Sequence, residues 1–317
     1  VRGDLLPSVY NRRNPNHGNL WGQNVRLAHD MRVWPGRMTP GVNRGYREST
    51  LDDRFTLRTF TAACSPWVLR GQGLPPELRG SVAVCEPSAN LLKLYDMAEA
   101  PDGSLSATPT YPDGSELLVS TDERFRPVQL AGGPDGALYV VDLYRGILQH
   151  KIFMTSFLRR QVEERGLAEP VGLGRIYRLA HDDTPTWEPP RMSEASAEEL
   201  AGWLCHEGGW WRDRAQQELV ERAERPRVEQ AHGSTDRAHP NRLAELLAEP
   251  AAAPLGRLHA LWALHGAGLV SGRVVEQGLA DADGRVRRAA LRVGESLLAG
   301  SSELRALVAA RTVVSRD

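Results

Sequence analysis

Hydrophobic and polar residues follow different patterns in the two halves of the chain. Up to about residue 182 the apolar runs are short and are separated by Gly, Pro, Asn and Asp, which is typical of strands joined by turns. One helix is predicted over 153–165, where apolar residues recur at helical spacing before Gly166. The turn 133–136 (GPDG) indicates a tight reversal ahead of the clearest strand. The strands are predicted at 81–85, 90–95, 137–141 and 174–179.

A second pattern begins near residue 193, where apolar residues recur at helical spacing instead. Ser196 and Glu199 stand at the spacing of a capping box, which predicts the start of a helix. In the segment DADGRV at 281–286 we expect Asp to cap a helix and Val286 to begin the buried stripe of that helix, as in a HEAT repeat. Three segments are similar enough to occupy equivalent helix positions: 211–215, 258–262 and 286–290, with Ala215, Ala260 and Ala289 aligned. We therefore predict a degenerate array of about three helix pairs.

The change of pattern predicts two domains joined by a linker. Residues 1–182 form the strand-rich domain, the Pro-rich residues 183–192 the linker, and residues 193–317 the helical repeats. The 39 basic and 40 acidic residues nearly cancel, which argues against a nucleic-acid partner because such partners select a basic surface. No apolar run reaches the roughly 20 residues that span a bilayer.

Three cysteines limit the metal and redox chemistry that the sequence predicts. None stands in a CxxC or CxxCH pattern, so we expect neither a structural zinc site nor a c-type haem attached to this chain. Cys64 and Cys85 both lie in strand-like segments. Two alternatives stay open for them: a disulfide in an oxidising compartment, or two buried free thiols.

An ordered series of motifs in the first half resembles one protein family. These motifs are NPNHG at 14–18, TPGVNRGYR at 39–47, FTAAC at 60–64, CEP at 85–87, STDERFRPV at 120–128, GPDGALYVVDLYRG at 133–146 and GLGRIYR at 172–178. Together they look like the C-terminal part of a membrane-bound dehydrogenase family. The propeller of that family is similar to that of soluble sugar dehydrogenases dependent on pyrroloquinoline quinone (PQQ). The resemblance covers residues 11–180 well and the helical half more loosely.

The resemblance implies a multidomain β and α fold, with the last blades of a six-bladed β-propeller followed by an α-helical HEAT-like array. It implies part of a PQQ-dependent dehydrogenase, which oxidises a sugar or alcohol and passes electrons to a cytochrome c domain or protein. A periplasmic or other extracytoplasmic location goes with it. The early blades with the catalytic His base, and a signal sequence, are expected to be missing from this chain.

A non-catalytic scaffold is the alternative function. In this hypothesis the propeller binds a carbohydrate or a protein, and the helical repeats hold a protein partner. Trp203, Trp210, Trp211 and Trp262 then form either a packed ridge or an aromatic groove for that partner.

Four residues are candidates for a cofactor site. PQQ carries three carboxylates, so Arg126 and Arg145 are candidate ligands for it, beside a bound calcium ion. Asp135 and Asp142 are candidate ligands for that calcium. The structural alternative for the two arginines is ion pairing with Asp122, Glu123 or Asp142, which would stabilise a blade. For Asp135 it is a hydrogen bond to its own turn, and for Asp142 it is the ordering of the loop 144–146.

Two histidines stand in family-like motifs of the strand-rich half. His17 and His150 can each act as a base near neutral pH, but neither has a partner that the sequence identifies. A structural role is the alternative for both, and the catalytic residue stays unknown.

Overall fold

A computed structural model describes residues 62–100, 105–111, 115–184, 188–224 and 240–298, with isolated positions between 48 and 57 and between 300 and 309. In these parts the chain is a mixed β and α protein, with antiparallel sheets followed mainly by helices. It divides into two compact units, Arg2–Thr186 and Trp187–Asp317. The division falls inside the Pro-rich segment 183–192.

Two antiparallel sheets make up the described part of the strand unit. Strands β1 to β4 follow one another across the first sheet, and β5 pairs with the start of β3; β6, β7 and β8 form the second sheet. Among the described residues, no pairing closes either sheet on itself. The strands are β1 Cys64–Val68, β2 Val82–Glu86, β3 Leu91–Glu99, β4 Leu105–Pro109, β5 Leu118–Val119, β6 Pro127–Gly132, β7 Leu138–Asp142 and β8 Arg175–Leu179.

The centre of the first sheet, β2 and the first half of β3, is buried on both faces. One face packs against the second sheet, with Cys85 and Leu92 meeting Leu130 and Val140 in one hydrophobic cluster. The opposite face carries a separate cluster whose members include Val82, Val84, Leu91 and Tyr95. Every residue of β2 is therefore buried, which explains why its first four residues form a continuous apolar run instead of an alternating one.

The predicted strands are confirmed, with ends that move by up to a few residues. The predicted helix over 153–165 is wrong at its start, because helix α1 spans Ser156–Glu164 and a 3-10 turn occupies Lys151–Phe153. The Thr155 side chain accepts a hydrogen bond from the Leu158 N–H and so caps α1. Gly166, at a φ of 59°, follows the helix as predicted.

Six helices of the second unit pack as three successive pairs. Within the pairs, α2 contacts α3, α4 contacts α5, and α6 contacts α7. Neighbouring pairs also contact each other, α2 with α4 and α4 with α6 along one layer, and α3 with α5 and α5 with α7 along the other. The helices are α2 Ala197–Trp203, α3 Gly209–Glu224, α4 Pro240–Ala248, α5 Pro254–Gly266, α6 Gly272–Leu279 and α7 Gly284–Leu298.

The predicted helix starts in this unit are confirmed by their capping contacts. Ser196 and Glu199 form the capping box. Asp283 accepts a hydrogen bond from the Arg285 N–H at 2.8 Å, and Val286 is completely buried.

The second helix of each pair (α3, α5 and α7) carries one of the three aligned alanines. Ala215 in α3, Ala260 in α5 and Ala289 in α7 are all buried, and so is the neighbouring Ala290. The methyl group of Ala290 faces Gly278 of α6, so a small residue is required at position 278.

Gly278 permits the close approach of α6 and α7. A Cβ atom built on Gly278 would lie 2.7 Å from the Cβ of Ala290, closer than two carbon atoms can pack. Gly202 holds the matching position in α2, because each of the two glycines is the second-to-last residue in the first helix of its pair. It is exposed, and no atom outside its own local backbone lies within 4 Å of its Cβ position.

We expect Gly278→Ala to lower the free energy of unfolding by about 1–3 kcal/mol, because the added methyl group overpacks the α6–α7 contact. The matched variant Gly202→Ala should be neutral or raise it by up to about 1 kcal/mol, since alanine restricts the unfolded chain. Urea unfolding followed by helical circular dichroism measures both. Equal effects of the two variants would contradict the close contact.

Candidate functional site

The predicted residues Arg126 and Asp142 meet where β6 begins and β7 ends. Pro127 and Asp142 are partners across the two strands, which brings the preceding Arg126 backbone to the Asp142 carboxylate. Asp142 Oδ1 accepts hydrogen bonds from the Arg126 N–H at 2.7 Å and from the Tyr144 N–H at 2.8 Å. One carboxylate oxygen thus binds both the residue before β6 and a residue in the loop after β7.

The Arg126 guanidinium is occupied by backbone carbonyls. It donates to Pro87 O at 2.5 Å, to Arg145 O at 2.9 Å and to Gly146 O at 3.1 Å, and the residue is only 4% exposed. Its Nε and both terminal nitrogens therefore have acceptors inside the protein. The contacts give Arg126 a structural role that joins the turn after β2 to the loop after β7.

Arg145 contributes to this arrangement through its backbone. Its carbonyl accepts the bond from Arg126 Nε, whereas its own side chain is exposed. Of the two arginines predicted to bind PQQ, only Arg145 presents its guanidinium to solvent.

The second oxygen of Asp142 is the unusual atom of this site. Asp142 Oδ2 is buried and accepts no hydrogen bond from any described residue; the nearest cation is Arg175, whose Nε lies 4.0 Å away. Burial raises the pKa of Asp142 above its usual value, although the Tyr144 N–H and Arg175 act against that rise. This buried and incompletely paired carboxylate is the candidate functional group.

An aromatic contact holds Arg175 beside Asp142. The Arg175 guanidinium carbon lies 3.7 Å from the centre of the Tyr144 ring, a cation–π geometry. The Tyr144 hydroxyl donates to Asp122 Oδ2 at 2.8 Å, and Tyr144 adopts a φ of 46°, which is rare for a non-glycine residue. Sequence reasoning placed Tyr144 in the loop that Asp142 orders, in agreement with the bond from the Tyr144 N–H, but it missed Arg175, which also stands in a family-like motif.

Asp135 lies at the opposite end of β7. Its Oδ1 accepts the Ala137 N–H, and its Oδ2 accepts Arg178 Nε at 2.6 Å and the Tyr139 hydroxyl at 3.1 Å. Burial acts to raise the pKa of Asp135, but these hydrogen bonds outweigh it and the pKa lies below its usual value. The strand between them separates Asp135 from Asp142 by roughly 15–20 Å along the chain direction, so the two carboxylates belong to different ends of the sheet.

The first sheet repeats the arrangement around Asp142. Glu86 ends β2 as Asp142 ends β7, and it is completely buried. Its carboxylate accepts the Ala62 N–H at 3.1 and 3.2 Å, just before β1, and the Ser88 N–H at 3.1 Å, two residues later. In the sequence, Glu86 stands out only as part of the CEP motif at 85–87; the signal that points to its role is an acidic residue at the end of the second strand of each sheet.

A buried ion pair also escaped sequence analysis. Lys93 in β3 donates to Glu116 Oε1 at 2.9 Å, and both side chains are about 1% exposed. Each side chain neutralises the charge of the other, which allows both to be buried in the first sheet.

Two of the four predicted ligands, Arg126 and Asp135, are engaged within the protein. Arg126 is already bonded to carbonyls, Asp135 is paired with Arg178, and the two aspartates are far apart. Within the described parts of the chain, no three His, Cys, Asp or Glu side chains are grouped to hold a metal ion. The roles of Arg126, Arg145, Asp135 and Asp142 toward PQQ and calcium stay predictions from resemblance.

Of the two predicted histidines, the structure describes only His150. His17 lies outside the described residues. His150 is exposed, and its Nδ1 accepts the Ile152 N–H at 3.4 Å at the start of the 3-10 turn.

We expect Asp142→Asn to keep or raise the free energy of unfolding at neutral pH, because Asn retains the acceptor oxygen and removes the buried charge. Asp142→Ala should lower it by about 1–3 kcal/mol, since two amides lose their acceptor. Urea unfolding of both variants and the wild type at neutral pH measures this difference. Equal losses in Asn and Ala would show that the charge itself stabilises the site.

Comparison of the wild type with Asp142→Asn also tests how the Asp142 carboxylate makes the free energy of unfolding depend on pH. Its pKa is raised in the folded state, so the wild type gains stability as the pH falls through that pKa toward the usual value. The advantage of Asp142→Asn over the wild type should therefore be greatest at neutral pH and shrink on acidification. Urea midpoints from neutral to mildly acidic pH test the trend, and an advantage that grows on acidification would contradict the raised pKa.

In the parts of the chain that the structure describes, no helix is long and apolar enough to cross a membrane.

Comparison with known proteins gives one match. No curated protein and no solved structure matches the chain. One family model, a domain of unknown function (DUF7133), matches residues 4–183, which is more than half of the chain. The chain therefore belongs to the DUF7133 family.

Proposed function

We propose that the strand unit contains two neighbouring blades of a β-propeller, that the helical unit is a HEAT-like array, and that the chain is a non-catalytic scaffold for a protein partner. The observation that carries the scaffold proposal is the order of the second helices, in which α5 lies between α3 and α7. Such stacking creates one continuous surface from several repeats, and repeat proteins use surfaces of this kind to bind partners.

The propeller proposal is supported by the repetition within the strand unit. Each sheet is an antiparallel succession of strands, and the first strands, β1 and β6, contact each other. A hydrogen bond of 2.9 Å from the Leu130 N–H to Ser65 Oγ joins these two strands. Adjacent first strands and equivalent buried carboxylates at Glu86 and Asp142 are expected of consecutive blades around an axis.

The surface of the second helices has the chemistry of a protein-binding site. His259 of α5 shares a 2.7 Å hydrogen bond with Gln216 of α3, which ties the neighbouring helices together. Trp262 is partly exposed on α5, and Arg288 and Arg292 are exposed on α7. Aromatic and arginine side chains are the residues most enriched in protein interfaces, so we propose a protein with an acidic surface as the partner.

Part of a PQQ-dependent dehydrogenase remains the second candidate, and one observation favours it. Asp142 Oδ2 is a buried carboxylate oxygen with incomplete pairing, next to a loop that exposes Arg145. The sugar or alcohol substrate, the cytochrome partner and the periplasmic location all belong to this second candidate.

A site-specific photo-crosslinker tests the partner surface. Placed at Arg292 of α7 in the cells that make the protein, it should form an adduct with another protein. Arg273, exposed on α6 in the other helix layer, is the matched control and should form none. Adducts of equal yield at both positions, or none at either, would contradict the proposed surface; an adduct with a glycan would replace the protein partner by a carbohydrate.

Calorimetric titration of PQQ, with and without calcium, separates the two candidates. The scaffold predicts no binding heat under either condition, because Arg126 and Asp135 are engaged within the protein. Calcium-dependent binding that Arg145→Ala abolishes would overturn the scaffold in favour of the dehydrogenase. Asp183→Ala, at an exposed residue outside the site, is the control.

A further inference from the structure

Cys64 and Cys85 stand directly opposite each other on neighbouring strands. They are partners in the antiparallel pairing of β1 with β2, and both are free thiols. Directly opposed residues of antiparallel strands have Cα atoms about 4.5–5.5 Å apart. A disulfide requires a Cα separation of about 4.4–6.8 Å, so the backbone already places this pair within bonding range.

The two thiols differ in access and in acidity. Cys64 is partly exposed, whereas Cys85 is completely buried. A hydrogen bond from Cys85 lowers the pKa of Cys64, and the same bond together with burial raises the pKa of Cys85. Because a reagent in solution reaches the partly exposed sulfur first, Cys64 is the attacking group and the buried Cys85 the resolving one.

We propose that Cys64 and Cys85 are a reversible thiol–disulfide site that small-molecule disulfides oxidise. Cys64 is partly exposed, so a reducing thiol can reach the bond that this residue forms. Exposed disulfides are more easily reduced than deeply buried ones, so we expect a reversible site and not a permanent crosslink.

The reaction with oxidised glutathione proceeds in two exchanges. The Cys64 thiolate attacks one sulfur of glutathione disulfide, which forms a mixed disulfide and releases one glutathione thiolate. Cys85 then loses its proton and attacks the Cys64 sulfur, which forms the Cys64–Cys85 bond and releases the second glutathione thiolate. The two cysteine protons end on the two glutathiones, and two electrons pass from the protein to the reagent.

Oxidation at Cys64 acts on the junction between the two sheets. The Cys64 thiol donates to Val128 O at 3.5 Å, and this donor is lost when the sulfur is bridged. The pairing of β1 with β2 is irregular just after Cys64, and Ser65, at a φ of 48°, accepts the Leu130 N–H. The redox state of the pair is thereby coupled to the contact between β1 and β6.

Thiol counting on the full chain in glutathione buffers tests this site. The reduced protein has three thiols, and oxidised glutathione should leave one, which peptide mapping should place at Cys205. Reduced glutathione in excess should restore all three. Cys205→Ser is the matched background, in which the count should fall from two to none.

Two single variants identify the attacking and resolving thiols. Cys85→Ser should stop at a glutathione adduct on Cys64, and Cys64→Ser should lose the reaction because the remaining thiol is buried. A folded protein that keeps all its thiols in oxidised glutathione, or that forms an adduct on Cys64 without a bridge, would overturn the proposal. A bridge that excess reduced glutathione does not open would also overturn it, since the bond would then be a permanent crosslink.

Discussion

A buried carboxylate that accepts two backbone amides holds the end of each sheet. Asp142 and Glu86 each bind the amide of a residue just before the first strand and the amide two residues after themselves. Without these acceptors, four amides at crowded strand ends would lose partners, at a cost of about 1–3 kcal/mol for each one left buried and unsatisfied. A buried carboxylate is itself costly, and charge-assisted hydrogen bonds from the amides offset that cost.

The rest of this end of the strand unit follows from that constraint. Binding of the Arg126 amide to Asp142 sets the direction of the Arg126 side chain, which then reaches three carbonyls of neighbouring loops. The Tyr144 amide binds the same oxygen, and this turn places the Tyr144 ring under Arg175. Arg175 in turn supplies the positive charge nearest to Asp142 Oδ2. Few of these groups remain available for a ligand.

The sequence predicts the elements better than it predicts the partners of the site residues. Strands and helices depend on spacing along the chain, so β7 and the helix caps at Ser196 and Asp283 are readable from local patterns. The partners of Arg126 lie 19 to 39 residues away, and their positions depend on the pairing of strands in two different sheets. An arginine near a strand end therefore predicts a polar site. The sequence does not show whether carbonyls or a ligand accept the hydrogen bonds of its guanidinium.

Arginine bound to turn carbonyls recurs in the helical unit and gives these residues a common role. Arg222 donates to the carbonyls of Met192, Ser193 and Ala195, and Arg257 donates to Ala252 O while it pairs with Asp281 through two bonds. Turns next to helix ends leave carbonyls without intrahelical partners, and one planar guanidinium can satisfy several of them at once. Lysine would supply a single point of donation, so arginine is the residue that this geometry selects. The same reasoning applies to Arg126: its guanidinium completes backbone bonding between two sheets, and a structural requirement alone is sufficient to explain its presence.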